Sequence, residues 1–251
     1  IYQTSGNIAV ADEEVIRYIS LMVEVIKKFD NRNVEILGNY INILRFLMEE
    51  KQPGGNDTAD VLLIKSQIRR EEAKSACRFM GIKPENIHFI DLPFYETGKV
   101  QKNDLSNVDV QKITPLIDSI KPHQIYLAGD LADPHGTHKV CLDAALGAIH
   151  ELKIKSWMND CRIWMYRGAW AEWEIDHIEM AVPISPEQLR KKRSSILKHQ
   201  SQMESAPFLG NDERLFWQRA EERNKTTAEL YNKLGLASYE AIEAFVEYKL
   251  L

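Results

Sequence analysis

The stretch from 124 to 138, Gln-Ile-Tyr-Leu-Ala-Gly-Asp-Leu-Ala-Asp-Pro-His-Gly-Thr-His, concentrates the residues most able to do chemistry. Ile125, Tyr126, Leu127 and Ala128 form a short apolar run that predicts a buried strand, and Gly129 marks its end. Asp130, Asp133, His135 and His138 follow at once. Imidazole is the commonest metal ligand and a ready acid near neutral pH. Open α/β sheets bind their ligands at the carboxyl ends of strands. Two histidines crowded with two carboxylates at such an end therefore predict a metal-assisted hydrolytic site. The competing reading is a turn carrying two solvated histidines.

The elements around that loop alternate. Residues 11–29 predict a helix, with Ile16, Ile19, Val23 and Ile26 three or four apart and three acids in the favourable first turn. Further helices are predicted over 40–50, 67–80, 108–120 and 139–152, with Pro115 expected to bend or restart the one over 108–120. Strands are predicted over 87–92, 162–167 and 178–184. Ser185-Pro186-Glu187-Gln188 is a helix start, with a Ser cap, Pro at the first position and Gln three residues after the Ser. That helix is expected to reach about 203. Two more, 211–234 and 239–248, are predicted to close the chain. The order argues for an α/β fold: a Rossmann-like, mostly parallel sheet with helices on both faces, plus a helical C-terminal tail.

At 251 residues the chain can bury a full core. A formal net charge of −5 argues against a general nucleic-acid binder, and the basic run 190–193 reads as a solvated helix face. Cys77, Cys141 and Cys161 are odd in number and widely spaced, which fits a reducing, cytoplasmic setting and no disulfide frame. No apolar run approaches the roughly 18 residues that span a membrane. The expected partner is a small molecule, with neither nucleic acid nor membrane, and the C-terminal helices are a surface for homo-oligomerisation. Residues 1–4 look like the end of a strand and 5–7 like the loop after it, so an upstream segment is expected.

Four segments, taken in order, resemble the PIG-L/LmbE-like family of zinc-dependent N-acetylglucosaminyl deacetylases. Thr4-Ser5-Gly6-Asn7 sits where that family has a Thr-rich loop after its second strand. Arg69-Arg70-Glu71-Glu72, running into Met80-Gly81-Ile82, is similar to its Arg-x-x-Glu helix. Pro134-His135-Gly136-Thr137-His138 is similar to its Pro-His-x-x-His signature, and His199-Gln200-Ser201-Gln202 to its late His-x-Ser-Gln. The resemblance covers 1–205, read as the deacetylase-like domain, and 206–251 is read as a helical extension packed on it.

The resemblance implies amide hydrolysis of an N-acetylated amino sugar or its conjugate, with zinc as cofactor. It implies that His138 is a zinc ligand, that His135 is the acid or oxyanion-stabilising histidine, and that Arg69 faces substrate. The family's Ala-His-Pro-Asp-Asp-Glu motif, source of two further zinc ligands and the general base, has no counterpart in these 251 residues. Without it the chain is expected to be inactive. The Thr-Ser-Gly-Asn-Ile-Ala-Val wording is also similar to proteins in which such a domain follows a glucosamine-6-phosphate deaminase domain. A non-catalytic sugar-phosphate-binding or regulatory domain of such a fusion is therefore the alternative.

Other residues divide between site and scaffold. Arg69 suits hydroxyls, carboxylate or phosphate, yet equally a salt bridge to Glu71 or Glu72. Trp170 and Trp173 could stack on a sugar face, or pack against the protein or a second copy. His199 edges the pocket or ties its helix to a loop, His123 faces solvent, and Glu96 falls at the functional edge of the strand over 87–92.

Overall fold

The computed structural model describes residues 1–29, 34–129, 136–168, 171–203 and 214–250. The expected alternation is present, with shifted bounds. α1 (Asp12–Phe29) is followed by α2 (Val34–Arg45), which passes into a π turn at Phe46–Glu50, and by α3 (Ala59–Phe79). α3 begins eight residues before the predicted 67, because the Thr58 side chain caps it by accepting from Val61 N at 3.3 Å. α4 (Asn107–Ile120) runs unbroken through Pro115. β1 (Gln124–Ala128), α5 (Thr137–Leu152), β2 (Arg162–Tyr166) and β3 (Met180–Ile184) come next. α6 (Pro186–Ile196) starts on the predicted box, with Ser185 Oγ accepting from Gln188 N at 3.2 Å. It ends before the predicted 203, and a separate 3-10 turn spans Gln200–Gln202. α7 (Phe216–Lys233) and β4 (Ala241–Glu247) complete the order.

Two expectations are corrected. The helix predicted over 239–248 is strand β4, so the tail is one helix and one strand, and 239–248 offers no helical surface to a second copy. The four-stranded sheet, in order β1-β2-β4-β3, is also mixed rather than mostly parallel. β1 and β2 are parallel in the register Gln124 to Arg162, whereas β4 runs antiparallel to both β2 and β3. The strand predicted over 87–92 is reduced to a parallel bridge between Tyr2 and Phe89. Backbone bonds from Tyr2 N to His88 O, Ile90 N to Tyr2 O and Leu92 N to Gln3 O extend that pairing.

Two apolar clusters hold these parts. In one, Leu92, Phe94, Ile113, Ile117, Ile149 and Ile163 pack between the 87–95 segment, α4, α5 and β2. Gly147 allows the close approach of α5 to α4, since a Cβ there would lie 3.0 Å from Val110 Cγ2. The other cluster joins Val15, Ile19 and Val23 of α1 to Ile43, Leu47 and Val61. Burying such a side chain contributes about 1.5–3 kcal/mol. Cys77, Cys141 and Cys161 form no disulfide. Among the described residues no helix is long and apolar enough to cross a membrane.

Candidate functional site

The loop at 4–7 lies against Arg69 of α3. Gly6 takes a left-handed conformation (φ 67°) that L side chains rarely adopt, and a Cβ there would stand 3.0 Å from Arg69 Nε. A glycine at this position thus satisfies the turn and lets the Arg69 side chain lie across it. Ser5, nearly fully buried, donates from its backbone N and its Oγ to the two carboxylate oxygens of Glu96, both at 2.9 Å. Glu96 therefore braces the 4–7 loop.

α3 supplies the next pair. Arg69 and Glu72 lie one helical turn apart, and Arg69 Nη1 donates to Glu72 Oε2 at 3.0 Å. Glu72 is buried, and it also accepts from Ser201 N at 2.6 Å and Ser201 Oγ at 2.8 Å. Two motifs far apart in the sequence, Arg-x-x-Glu and His-x-Ser-Gln, are thereby one hydrogen-bonded unit. The alternative of an ion pair between Arg69 and Glu72 is what the geometry contains, but it is partly buried rather than a surface contact. His199 is half-buried, and its Nδ1 has no hydrogen-bond partner among the described residues. Burial, and then the nearby Arg69 charge, hold its pKa below the ordinary 6.5. It therefore stays neutral at physiological pH.

At the carboxyl end of β1, Gly129 N donates to Tyr166 O at 2.8 Å and so continues the parallel ladder by one residue. Asp130, Asp133 and His135 lie outside the described residues, as does Trp170. Gly136 (φ 70°) turns the chain into α5, whose first turn carries Thr137 and the exposed His138. Lys102 Nζ donates to Thr137 Oγ1 at 2.6 Å and sits 5.4 Å from the Tyr95 ring centre. Burial, then the Glu96 charge, push the Tyr95 hydroxyl up to about 12. The Arg69 charge opposes that shift without cancelling it. Sequence reasoning passed over Tyr95 and Lys102. Neither falls in a motif, and the only available signal was their proximity in sequence to Glu96.

Trp173, the described member of the tryptophan pair, packs its ring edge on Gly129 and donates from Nε1 to Met165 O at 3.2 Å. Arg167 lies over its ring at 4.9 Å. The sequence alternative of ordinary packing accounts for these contacts.

Residues 46–149 match the family model for GlcNAc-PI de-N-acetylase, PIG-L. Over that stretch the chain is similar to PIG-L domains. The matched stretch includes Arg69, Glu72, Glu96, His135 and His138. A "putative glucosamine-6-phosphate deaminase-like protein" of Bacteroides thetaiotaomicron is 61% identical over 250 residues, which are 98% of this chain. The chain spans 38% of that relative's length. Among solved structures, the conserved protein TT1542 from Thermus thermophilus superposes with a TM-score of 0.51 and 18% identity, covering 74% of each chain. GalB, the 4-carboxy-2-hydroxymuconate hydratase of Pseudomonas putida KT2440, gives 0.53 and 11% over 99% of this chain and 94% of its own. At such identities the two structures establish a shared fold.

The PIG-L resemblance implies zinc, and zinc sets a requirement on the donors. A catalytic zinc site takes three protein ligands and keeps one position open. Among the described residues no three His, Cys, Asp or Glu side chains come together as a metal site. His138 by itself does not fit that requirement.

Proposed function

We propose that this chain is the substrate-binding and histidine-bearing part of an amide hydrolase that deacetylates an N-acetylated amino sugar or its conjugate. The observation that carries the reading is the Arg69–Glu72–Ser201 unit, set beside the Ser5–Glu96 brace, with Arg69, Glu72 and Glu96 inside the stretch that matches the PIG-L model. Glu72 holds the guanidinium in place, so Arg69 presents its planar fork to a hydroxyl or anionic group of the substrate without first losing side-chain freedom. Amide hydrolysis passes through a tetrahedral oxyanion, which positioned donors stabilise. His135 is assigned that donor role, Trp170 the sugar face, and His138 the one metal-ligand position this chain supplies. The remaining ligands and the base belong, in this reading, to a segment outside these 251 residues.

A second reading rests on the same shortage of ligands and on the deaminase-like name of the 61%-identical relative. It makes the chain a non-catalytic sugar-phosphate-binding or regulatory domain of a deaminase-like protein. Zinc content and acetate release from N-acetylglucosamine separate the two. The full-length Bacteroides relative is expected to hold about one zinc per chain and to release acetate, and to lose both when its counterpart of His138 becomes Ala. The 251-residue chain is expected to do neither. A full-length relative that binds no zinc and releases no acetate would overturn the deacetylase reading and leave the regulatory one.

A further inference from the structure

Helix α1 carries two apolar faces. Val15, Ile19 and Val23 are buried in the cluster with Ile43 of α2 and Val61 of α3. Tyr18, Leu21, Met22, Val25 and Phe29 are exposed, Leu21 at 61% and Phe29 at 80%. Tyr18, Met22, Val25 and Phe29 recur at i, i+4, i+7 and i+11, so they form one stripe along the helix, and Leu21 borders it. Single apolar residues at a surface need no explanation, whereas a contiguous strip of them marks a contact with another protein surface.

The charges beside the stripe point to which surface that is. At about 100° per residue, Glu14, Arg17, Leu21, Glu24 and Lys28 share one flank of it. Along the helix their order is negative, positive, apolar, negative, positive, a pattern that complements its own reverse. In a two-fold symmetric contact residue i meets j while j meets i, so an antiparallel second α1 brings this flank against the same flank of its copy. With Leu21 at the two-fold axis, Lys28 of one copy is level with Glu14 of the other. Arg17 comes within one residue, about 1.5 Å along the helix, of the other copy's Glu24. The symmetry repeats both pairs. Bonds inside one chain do not stand in the way: Arg17 holds Glu14 at 2.6 Å and Lys27 holds Glu24 at 2.9 Å, each across one turn of α1. Exposed pairs of this kind contribute little, so exchanging their partners costs little.

We propose that the exposed face of α1 is the contact surface of an antiparallel, two-fold symmetric dimer of this chain. The contact is independent of the deacetylase reading. Sedimentation equilibrium of the 251-residue chain tests it. One helix per copy makes a small interface, so dimerisation is expected with a Kd of about 1–100 μM. Leu21→Glu sets two carboxylates together at the axis and is expected to raise Kd about a hundredfold. Glu24→Arg faces Arg17 of the other copy with a like charge and is expected to raise Kd about tenfold. Adding Arg17→Glu to it restores opposite signs and should return Kd to within about threefold of the parent chain. All three positions are exposed, so urea midpoints measured well below Kd should match the parent, which separates loss of the contact from loss of the fold. A chain that stays monomeric up to about 1 mM, tenfold above the expected range, overturns the proposal and leaves the stripe to a different protein surface. A dimer that keeps its Kd in Leu21→Glu lies on another face and overturns it too. Failure of the double charge reversal to recover Kd overturns the antiparallel arrangement and the proposal with it.

Discussion

Glu72 and Ser201, 129 residues apart, are joined by two hydrogen bonds, from the Ser201 backbone N at 2.6 Å and from its hydroxyl at 2.8 Å. This contact converts two sequence motifs into a single device. The same carboxylate holds Arg69 from its own helix, so the direction of the guanidinium depends on a residue delivered by the turn after α6.

Removal of that carboxylate should therefore be felt twice. Glu72→Ala leaves the Ser201 N–H and the Arg69 guanidinium without their acceptor in a buried place, a loss of about 3 kcal/mol in urea unfolding. Ser201→Ala should cost about 1 kcal/mol. The double variant should fall short of the sum by about 1 kcal/mol, the coupling expected of residues in one network. Strict additivity would mean that the two side chains do not share an interaction.

Asp12 and Asp57 enclose Lys51 and Lys65, and the Lys65 side chain is only 4% exposed. Burial would raise the Asp12 carboxyl, but its bonds to Lys51 and Lys65 outweigh that and hold it below the ordinary 3.8. A carboxyl depressed in the folded state contributes stability above its ordinary pKa, and that stability is lost as pH falls through the folded value. Lys65→Met should thus cost about 2 kcal/mol at neutral pH, discounted for the partial exposure of Asp12. The difference from the parent chain should narrow below about pH 4 as the Asp12 carboxyl protonates. Urea midpoints over a pH series check both parts, and a constant difference across the series would contradict the assignment.

His199 gives a titration of the same sign in a higher pH range. Its folded pKa lies below 6.5, so below that pH the unfolded chain takes up a proton that the folded chain refuses. Stability should decline as pH falls from 6.5 toward the folded value and then level off. His199→Gln should flatten the decline between about pH 7 and pH 5. A variant as pH-sensitive as the parent chain would assign the slope to other groups.

What the sequence disclosed and what it concealed have physical causes. β1 was legible as a strand because an apolar run stops at a glycine, although it is a half-exposed edge strand rather than the buried one expected, and the start of α6 because Ser185, Pro186 and Gln188 fill a capping box. β4 was misread because Ala-Ile-Glu-Ala-Phe-Val-Glu suits a helix with Glu243 on its wet face. Glu243 is instead neutralised inside the fold by Lys192 and Arg223, and Ala241, Ile242 and Ala244 are buried on both sides of it. The early start of α3 was hidden for a similar reason, since Lys65 looks like a surface residue until Asp12 and Asp57 are found around it. In both places a charge pattern that reads as solvent-facing is satisfied by partners far away in sequence. The candidate site followed the same division: Arg69 and Glu72 were visible as a motif, whereas the bond to Ser201 and the Lys102–Thr137 contact depend on tertiary structure.

Gly129 stands at the boundary between the sheet and the loop that carries His135, and its lack of a side chain is a packing requirement. A Cβ would lie 2.9 Å from Met165 Cβ and 3.0 Å from Trp173 Cζ2. Met165 Cβ is tied to the β2 backbone and cannot step aside, so Gly129→Ala must separate the ends of β1 and β2 or displace the indole. Overpacking of this kind costs about 1–3 kcal/mol. The loss should appear in urea unfolding together with a changed near-ultraviolet dichroism from Trp173. Adding Trp173→Phe, with its smaller ring, should recover only part of the loss, because the clash with Met165 remains. A Gly129→Ala cost within about 0.5 kcal/mol of zero, the range of an ordinary surface change, would show that the two strand ends have slack.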